Sequence, residues 1–300
     1  MTMTFTEECV RTCVCIALVC LHHIKQIAFI IETYLCRACR RMYHTYVCYF
    51  KQCVFIHRGI RITTNKPDIR PLFETICLAP KFMNWLDLFQ LDLFDLRTIT
   101  LTDVDFFGAK PSPENLGFLK FKCEVYTKMG DQIDGIVFLR GDCGAVLIIV
   151  TDENDKQYVL LTEQPRIPTG GYKEEIVAGM FDHRLGATVV NGLMKKEILE
   201  ETGLLIEENS EEFIPLGAFT LSGGGCDENV HLAFWSTRIE SNVIETMKQK
   251  QYGEKGSREK IRLKFYPVDE DFEERVLPRI ADAKTSLAWY AYKNLATYST

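Results

Sequence analysis

The stretch Lys196-Glu197-Ile198-Leu199-Glu200-Glu201-Thr202-Gly203-Leu204 constrains this chain more than any other. Its acids fall at i, i+3 and i+4, so on an α-helix three carboxylates stand on one face, one turn apart. Like charges that close weaken a helix unless a cation sits among them. Hard divalent ions take oxygen ligands, and Mg²⁺ typically combines a few carboxylates with waters and substrate phosphates. Gly203 then stops the helix as a C′ residue. Ile198 and Leu199 are expected to pin its opposite side, and Leu204, Leu205 and Ile206 to follow as a strand. Taken alone, E-x-x-E-E also fits a surface helix with a solvated acidic face.

The rest of the chain narrows the choice. Three hundred residues, 47% hydrophobic and 25% charged, suit one large globular domain or two small ones. The net charge of −6 argues against a nucleic-acid surface, which needs a basic footprint. Charge and cysteine are unevenly spread. Residues 1–80 carry ten Lys and Arg against five Asp and Glu, and nine of the twelve cysteines. The remainder is acidic and cysteine-poor, as in a reduced intracellular enzyme, here expected to be cytoplasmic. Residues 1–80 therefore read as a cysteine-rich basic extension, poorly ordered, with 81–140 and 141–300 as the working parts.

Within the extension, the apolar runs Cys13–Leu21 and Ile27–Ile31 are too short for a membrane span. Glu7 and Glu8 spoil a signal-peptide n-region, and the segment contains no serine, which a transit peptide would favour. Organellar targeting by this extension is the alternative to a cytoplasmic location. Cys36-x2-Cys39 and Cys48-x4-Cys53, around His44, have a gap short for a zinc ribbon.

From Pro80 the pattern becomes regular. Trp85–Leu96 reads as a helix leading into a strand at Ile99–Val104. Strands follow at Phe118–Tyr126, Gly135–Arg140, Ala145–Thr151 and Tyr158–Gln164, the last two joined by the hairpin signal Asp152–Lys156. Beyond the acidic helix come Phe213–Phe219, Val230–Thr237 and Ile261–Pro267 as strands. Ala283–Leu295 closes as a helix with Leu287, Tyr290, Ala291 and Leu295 along one side. Strands on both sides of a carboxylate-bearing helix suit a mixed β-sheet sandwiched between α-helices, an α/β (α+β) sandwich.

The acidic stretch and its flanks resemble the Nudix hydrolase signature, Gly-x5-Glu-x7-Arg-Glu-U-x-Glu-Glu-x-Gly-U with U aliphatic. The second half fits except that Lys196 stands where the family has Arg. The first half departs: Gly179 lies three residues further from Lys196 than the pattern sets, and no glutamate fills the Gly-x5-Glu place. Five further words in the same order resemble the plant and protist ADP-sugar diphosphatase branch. They are Val104–Gly108, Gly117–Lys122, Gly135–Gly141, Leu161–Gly170 and Ser222–Glu228.

That resemblance implies the Nudix fold and Mg²⁺-dependent hydrolysis of ADP-glucose or ADP-ribose to AMP and a sugar phosphate, with Mn²⁺ as the alternative ion. It assigns the metal to Glu197, Glu200, Glu201 and the Ala178 carbonyl. Glu200 and Glu201 share the catalytic role with a general base from the late loop Tyr252–Lys260, either Glu254 or Glu259. Substrate contacts fall to Arg166, Glu175, Arg140, Glu228 and the Gly223–Gly225 run around Gly224. Relatives pair as homodimers through N-terminal strands, here residues 95–140. Two alternatives stay open at this point: a UDP-sugar or other nucleoside diphosphate substrate, and a Nudix-fold binding module without turnover.

Overall fold

A computed structural model describes residues 53–181, 187–206, 213–253, 256 and 259–298. The chain divides into two compact units, with the boundary in sequence between Leu139 and Arg140.

The first unit is built on a six-stranded sheet. Its strands are β1 (Val54–His57), β2 (Ile60–Thr63), β3 (Phe94–Phe106), β4 (Leu116–Thr127), β5 (Gln132–Ile133) and β6 (Ile136–Leu139). The path runs β1-β2-β3-β4-β5, with β6 also on β4. Folded structure begins well before the change in composition near Pro80. Phe55, Ile60, Ile62, Phe73 and Ile76 are buried in one core with Phe82, Leu86, Ile99 and Phe121. The expectation of an unstructured extension therefore fails for residues 53–80, while residues 1–52 lie outside the described residues.

The expected helix over Trp85–Leu96 is shifted. A helix spans Pro80–Leu88, opened by Pro80 in its first turn, and Phe89 is already extended. A turn closed by Phe94 N–H donating to the Gln90 carbonyl leads straight into β3.

The second unit holds a seven-stranded sheet. Its strands are β7 (Cys143–Thr151), β8 (Gln157–Arg166), β9 (Gly171–Glu175), β10 (Val177–Met180), β11 (Ile214–Thr220), β12 (Asn229–Arg238) and β13 (Arg262–Pro267). The path is β11-β12-β7-β8-β13, with β7 and β12 parallel and the other pairs antiparallel. β7 is apolar along nearly its whole length, as a strand covered on both faces must be. Val146, Ile148 and Val150 face one core with Met194 and Ile198 of the acidic helix and Ile244 and Met247 of helix Ser241–Lys248. Ala145, Leu147 and Ile149 face another, closed by Phe272, Leu277, Ala288 and Trp289. The expected mixed sheet between helices is what the chain forms.

At one end β7 and β8 part. They pair with each other only over Ile148–Thr151 and Gln157–Leu160. Beyond that, β9 takes Thr162–Arg166 of β8 and β10 takes Cys143–Val146 of β7. The chain changes partner at Ile176, whose amide N–H instead donates to Thr285 Oγ1 at 3.0 Å, so a buried donor stays satisfied.

Two local expectations change. Leu204–Ile206 forms no strand: Ile206 tucks into the core while Leu205 stays exposed. The last helix, Ala283–Tyr298, buries Thr285, Ala288 and Trp289, whereas Tyr290 and Leu295 face out. Among the described residues no helix is long and apolar enough to cross a membrane.

Candidate active site

The site grows from the acidic helix, Ala187–Thr202, and from the partner change between β9 and β10. Gly203 sits at φ 75°, the left-handed conformation expected of a C′ glycine, and its N–H donates to Leu199 O at 2.9 Å. Ile198 and Met194 anchor the helix; Leu199, expected to help, is 44% exposed. The anchored face carries Glu201 inward with it.

Glu201 is only 5% exposed, and its Oε2 has no hydrogen-bond partner. Burial first, and then the charges of Glu197 and Glu175, push its pKa up to about 8; Arg166 and the backbone of Ala178 oppose the shift. A carboxyl so placed stays ionised only if more positive charge arrives. Glu197 lies across the strand at Gly179, where a Cβ would collide with its carboxylate. That close approach is the reason for glycine here.

Glu200, the third acid of the expected trio, pairs with Lys196 Nζ at 3.5 Å, an i, i+4 ion pair. Correspondingly, no group of three or more His, Cys, Asp or Glu among the described residues forms a ready cage for a metal. Glu197 and Glu201 nevertheless fit a hard cation: both supply carboxylate oxygens, and the orphaned Oε2 is a buried acceptor in need of positive charge.

Arg166, the last residue of β8, donates from Nε to Glu175 Oε1 at 2.6 Å. Its Nη atoms make no hydrogen bond to a described residue, and its side chain is 40% exposed. Glu175, buried at the end of β9, also accepts from Lys284 Nζ at 2.8 Å through Oε2. Lys284 stands in the first turn of the last helix and also pairs with Asp282 at 2.9 Å. Burial works against its charge, but Glu175 and Asp282 outweigh it and the Lys284 pKa is raised. Asp282 caps that helix, accepting from Thr285 N–H at 2.9 Å and Thr285 Oγ1 at 2.7 Å.

Arg140 and Glu228 pair at 3.3 Å, and Arg140 Nε is buried without a partner. Asp227 holds this turn by accepting from the amides of Arg140 at 2.7 Å and Gly141 at 3.1 Å. Cys143 joins the two ion pairs: burial pushes its thiol up to about 12, helped by Glu228, while Arg140 and Lys284 pull the other way. Such a thiol stays protonated and is no nucleophile.

Gly224 is exposed, with open space where a Cβ would stand, so packing does not require glycine there. The late loop is tied to the acidic helix at its base. Gly253 N–H donates to Glu200 O at 3.0 Å, and Tyr252 lies against Gly203. Glu259 sits at this base beside Gly253, while Glu254 lies outside the described residues.

The structure thus brings Glu175, Arg166, Glu197 and Glu201 into one electrostatic cluster. Sequence reading missed Lys284, Asp282 and Thr285. Asp-x-x-Thr ahead of an apolar periodicity signals a helix start, but nothing local ties Lys284 to Glu175.

No protein-family model matches the chain. Nudix hydrolase 14, chloroplastic, of Arabidopsis thaliana is 32% identical over 229 residues, covering 71% of this chain and 69% of that protein. A solved structure titled as an ADP compounds hydrolase covers 68% of this chain and 97% of its own, at 13% identity and a TM-score of 0.44. On the Arabidopsis relationship, carried across most of both chains, this protein belongs to the Nudix hydrolase family, enzymes acting on phosphorus anhydrides.

Proposed function

We propose that this chain hydrolyses the diphosphate bond of ADP-sugars, ADP-ribose or ADP-glucose, to AMP and a sugar phosphate with the help of Mg²⁺ or Mn²⁺. The observation that carries the reading is Glu201: a buried carboxyl beside Glu197 and Glu175 with one oxygen unpartnered. A site like that is built for a cation. Glu197 and Glu201 would hold the ion, with the Ala178 carbonyl adjacent in sequence to Gly179, and Glu200 would join on leaving Lys196. The ion supplies charge neutralisation of the diphosphate oxygens and a lowered pKa for bound water.

The chain's own residues do the rest. Arg166 offers a planar fork whose outer N–H groups suit phosphate oxygens. Arg140, with its buried unpartnered Nε, and Glu228 form a second polar contact, and Gly224 leaves the backbone approachable. Glu259, or Glu254 earlier in the same loop, takes the proton from the attacking water. The water oxygen joins one phosphorus as the bridging P–O bond breaks and the bridging oxygen leaves on the other phosphate. One water proton goes to the glutamate and from there to solvent, and the other stays on the attacked phosphate until solvent takes it. The choice of an adenine nucleotide rests on the five sequence words shared with the ADP-sugar branch.

Pairing of two copies belongs to residues 95–140. That region exposes Phe107, Ile136 and Phe138, and the Phe118 ring lies 5.3 Å from each phenylalanine, edge-on to Phe107 and tilted against Phe138. Light scattering on the purified chain should give about twice the 34.5 kDa chain mass. A monomer at micromolar concentration would remove the pairing.

For the reaction, AMP release from ADP-ribose and ADP-glucose and UMP release from UDP-glucose are measured with Mg²⁺ and with chelator. The expected result is Mg²⁺-dependent AMP from both ADP-sugars and at least about tenfold less turnover of the UDP compound. UDP-glucose turned over as fast would overturn the adenine preference, and release insensitive to chelator would overturn the metal assignment.

A further inference from the structure

Four charged side chains from three distant parts of the chain meet where the sheet changes partner. Arg166 ends β8, Glu175 ends β9, and Asp282 and Lys284 open the last helix. Glu175 is the hub. Its Oε1 takes Arg166 Nε at 2.6 Å, and its Oε2 takes Lys284 Nζ at 2.8 Å. Both carboxylate oxygens are thereby fixed, so the carboxylate plane cannot turn. Bonding through Nε fixes one edge of the Arg166 guanidinium and leaves its outer edge without a protein partner among the described residues. That edge is the one a phosphate would meet.

Docking of the last helix does not need Lys284. Trp289 and Ala288 are fully buried, and Thr285 satisfies the Ile176 amide. A lysine with a side chain 15% exposed, held between two carboxylates, is by itself weak evidence for a stabilising role, since well-packed apolar groups often replace such a pair without loss. Its geometry serves Glu175 instead. Without Lys284, Glu175 would keep one ionic partner, and a buried carboxylate already near Glu201 would be free to swing.

We propose that Lys284 is a positioning residue of the active site: by clamping Glu175 from the last helix, it aims the outer N–H groups of Arg166 at the diphosphate of the substrate. This rests on the reading of the site as a nucleoside diphosphate hydrolase. The clamp acts on substrate held in the ground state, so its loss appears in KM more than in kcat.

The test compares wild type with Lys284→Met, Lys284→Gln, Lys284→Arg and Trp289→Phe in the full chain, with AMP release from ADP-ribose and thermal unfolding as readouts. Trp289→Phe loosens the same helix, removing its bond to Glu273, without touching the cluster. Lys284→Met and Lys284→Gln should raise KM about tenfold, as expected of a misaimed guanidinium fork, with kcat changed less than about threefold. Lys284→Arg should restore KM to within about threefold of wild type, and Trp289→Phe should lower the thermal midpoint with KM unchanged. An unchanged KM in both Lys284→Met and Lys284→Gln overturns the proposal, as does an equal rise in Trp289→Phe. A wild type that releases no AMP sinks the substrate reading instead. The clamp is then judged by calorimetric binding of inorganic pyrophosphate, where about tenfold weaker binding by Lys284→Gln supports it and equal binding overturns it.

Discussion

Glu201→Gln should lower turnover of ADP-ribose by on the order of a hundred- to a thousandfold, the usual cost of losing one preorganised charge at a reacting centre. The same change should raise the thermal midpoint of the metal-free protein. Glutamine keeps the shape and a hydrogen-bonding oxygen but removes a charge that burial and two neighbouring carboxylates disfavour. Loss of activity with a gain in stability is a combination that misfolding cannot produce. Steady-state kinetics beside calorimetry on the same preparation checks both. If activity persisted within about tenfold of wild type, Glu201 would be an incidental buried acid.

The second large effect concerns pH. Glu201 has its pKa raised from 4.5 to about 8 in the folded chain. Between those values the folded state holds a proton that the unfolded state has released, so stability falls as pH rises through this window. The contribution is largest below about pH 4.5 and gone above about pH 8, with a total on the order of a few kcal/mol. Unfolding followed at pH 5, 6.5 and 8 in chelator should therefore show a falling midpoint. Mg²⁺ should flatten the fall by supplying the missing positive charge, and Glu201→Gln should flatten it without metal. An identical slope in wild type and Glu201→Gln would remove Glu201 as its cause.

The parts legible in the sequence are those with a strong local signal. Alternating or continuous β-rich runs placed β4, β7, β8, β12 and β13 to within a few residues. The glycine after an acidic helical face placed the end of the helix at Gly203. β9 and β10 escaped because they are short and pair with two different strands, so neither shows one period. Helix Ser241–Lys248 is only two turns, with Ile244 and Met247 as its buried residues. The extent of the first unit was hidden because cysteine and positive charge change near residue 80, whereas among the described residues the core already includes Phe55. Composition marks a border; burial sets it.

The site shows the same division. Glu197 and Glu201 were legible because the helix brings them together by its own geometry. The pairing of Glu200 with Lys196 was not, since a flexible lysine four residues earlier has many other places to go. Lys284 was invisible for a different reason: Glu175 and Lys284 are 109 residues apart, and only the tertiary fold brings them into contact.

The change of strand partner at Ile176 sets an order of assembly. The amide freed there is satisfied by Thr285, also 109 residues later. Contacts of such separation form late, because the loop between them must close first. The acidic helix and its strands can therefore come together while the junction still lacks its last hydrogen bond, and docking of the final helix completes it. Docking of the final helix therefore brings Thr285 to Ile176 and Lys284 to Glu175 in a single event.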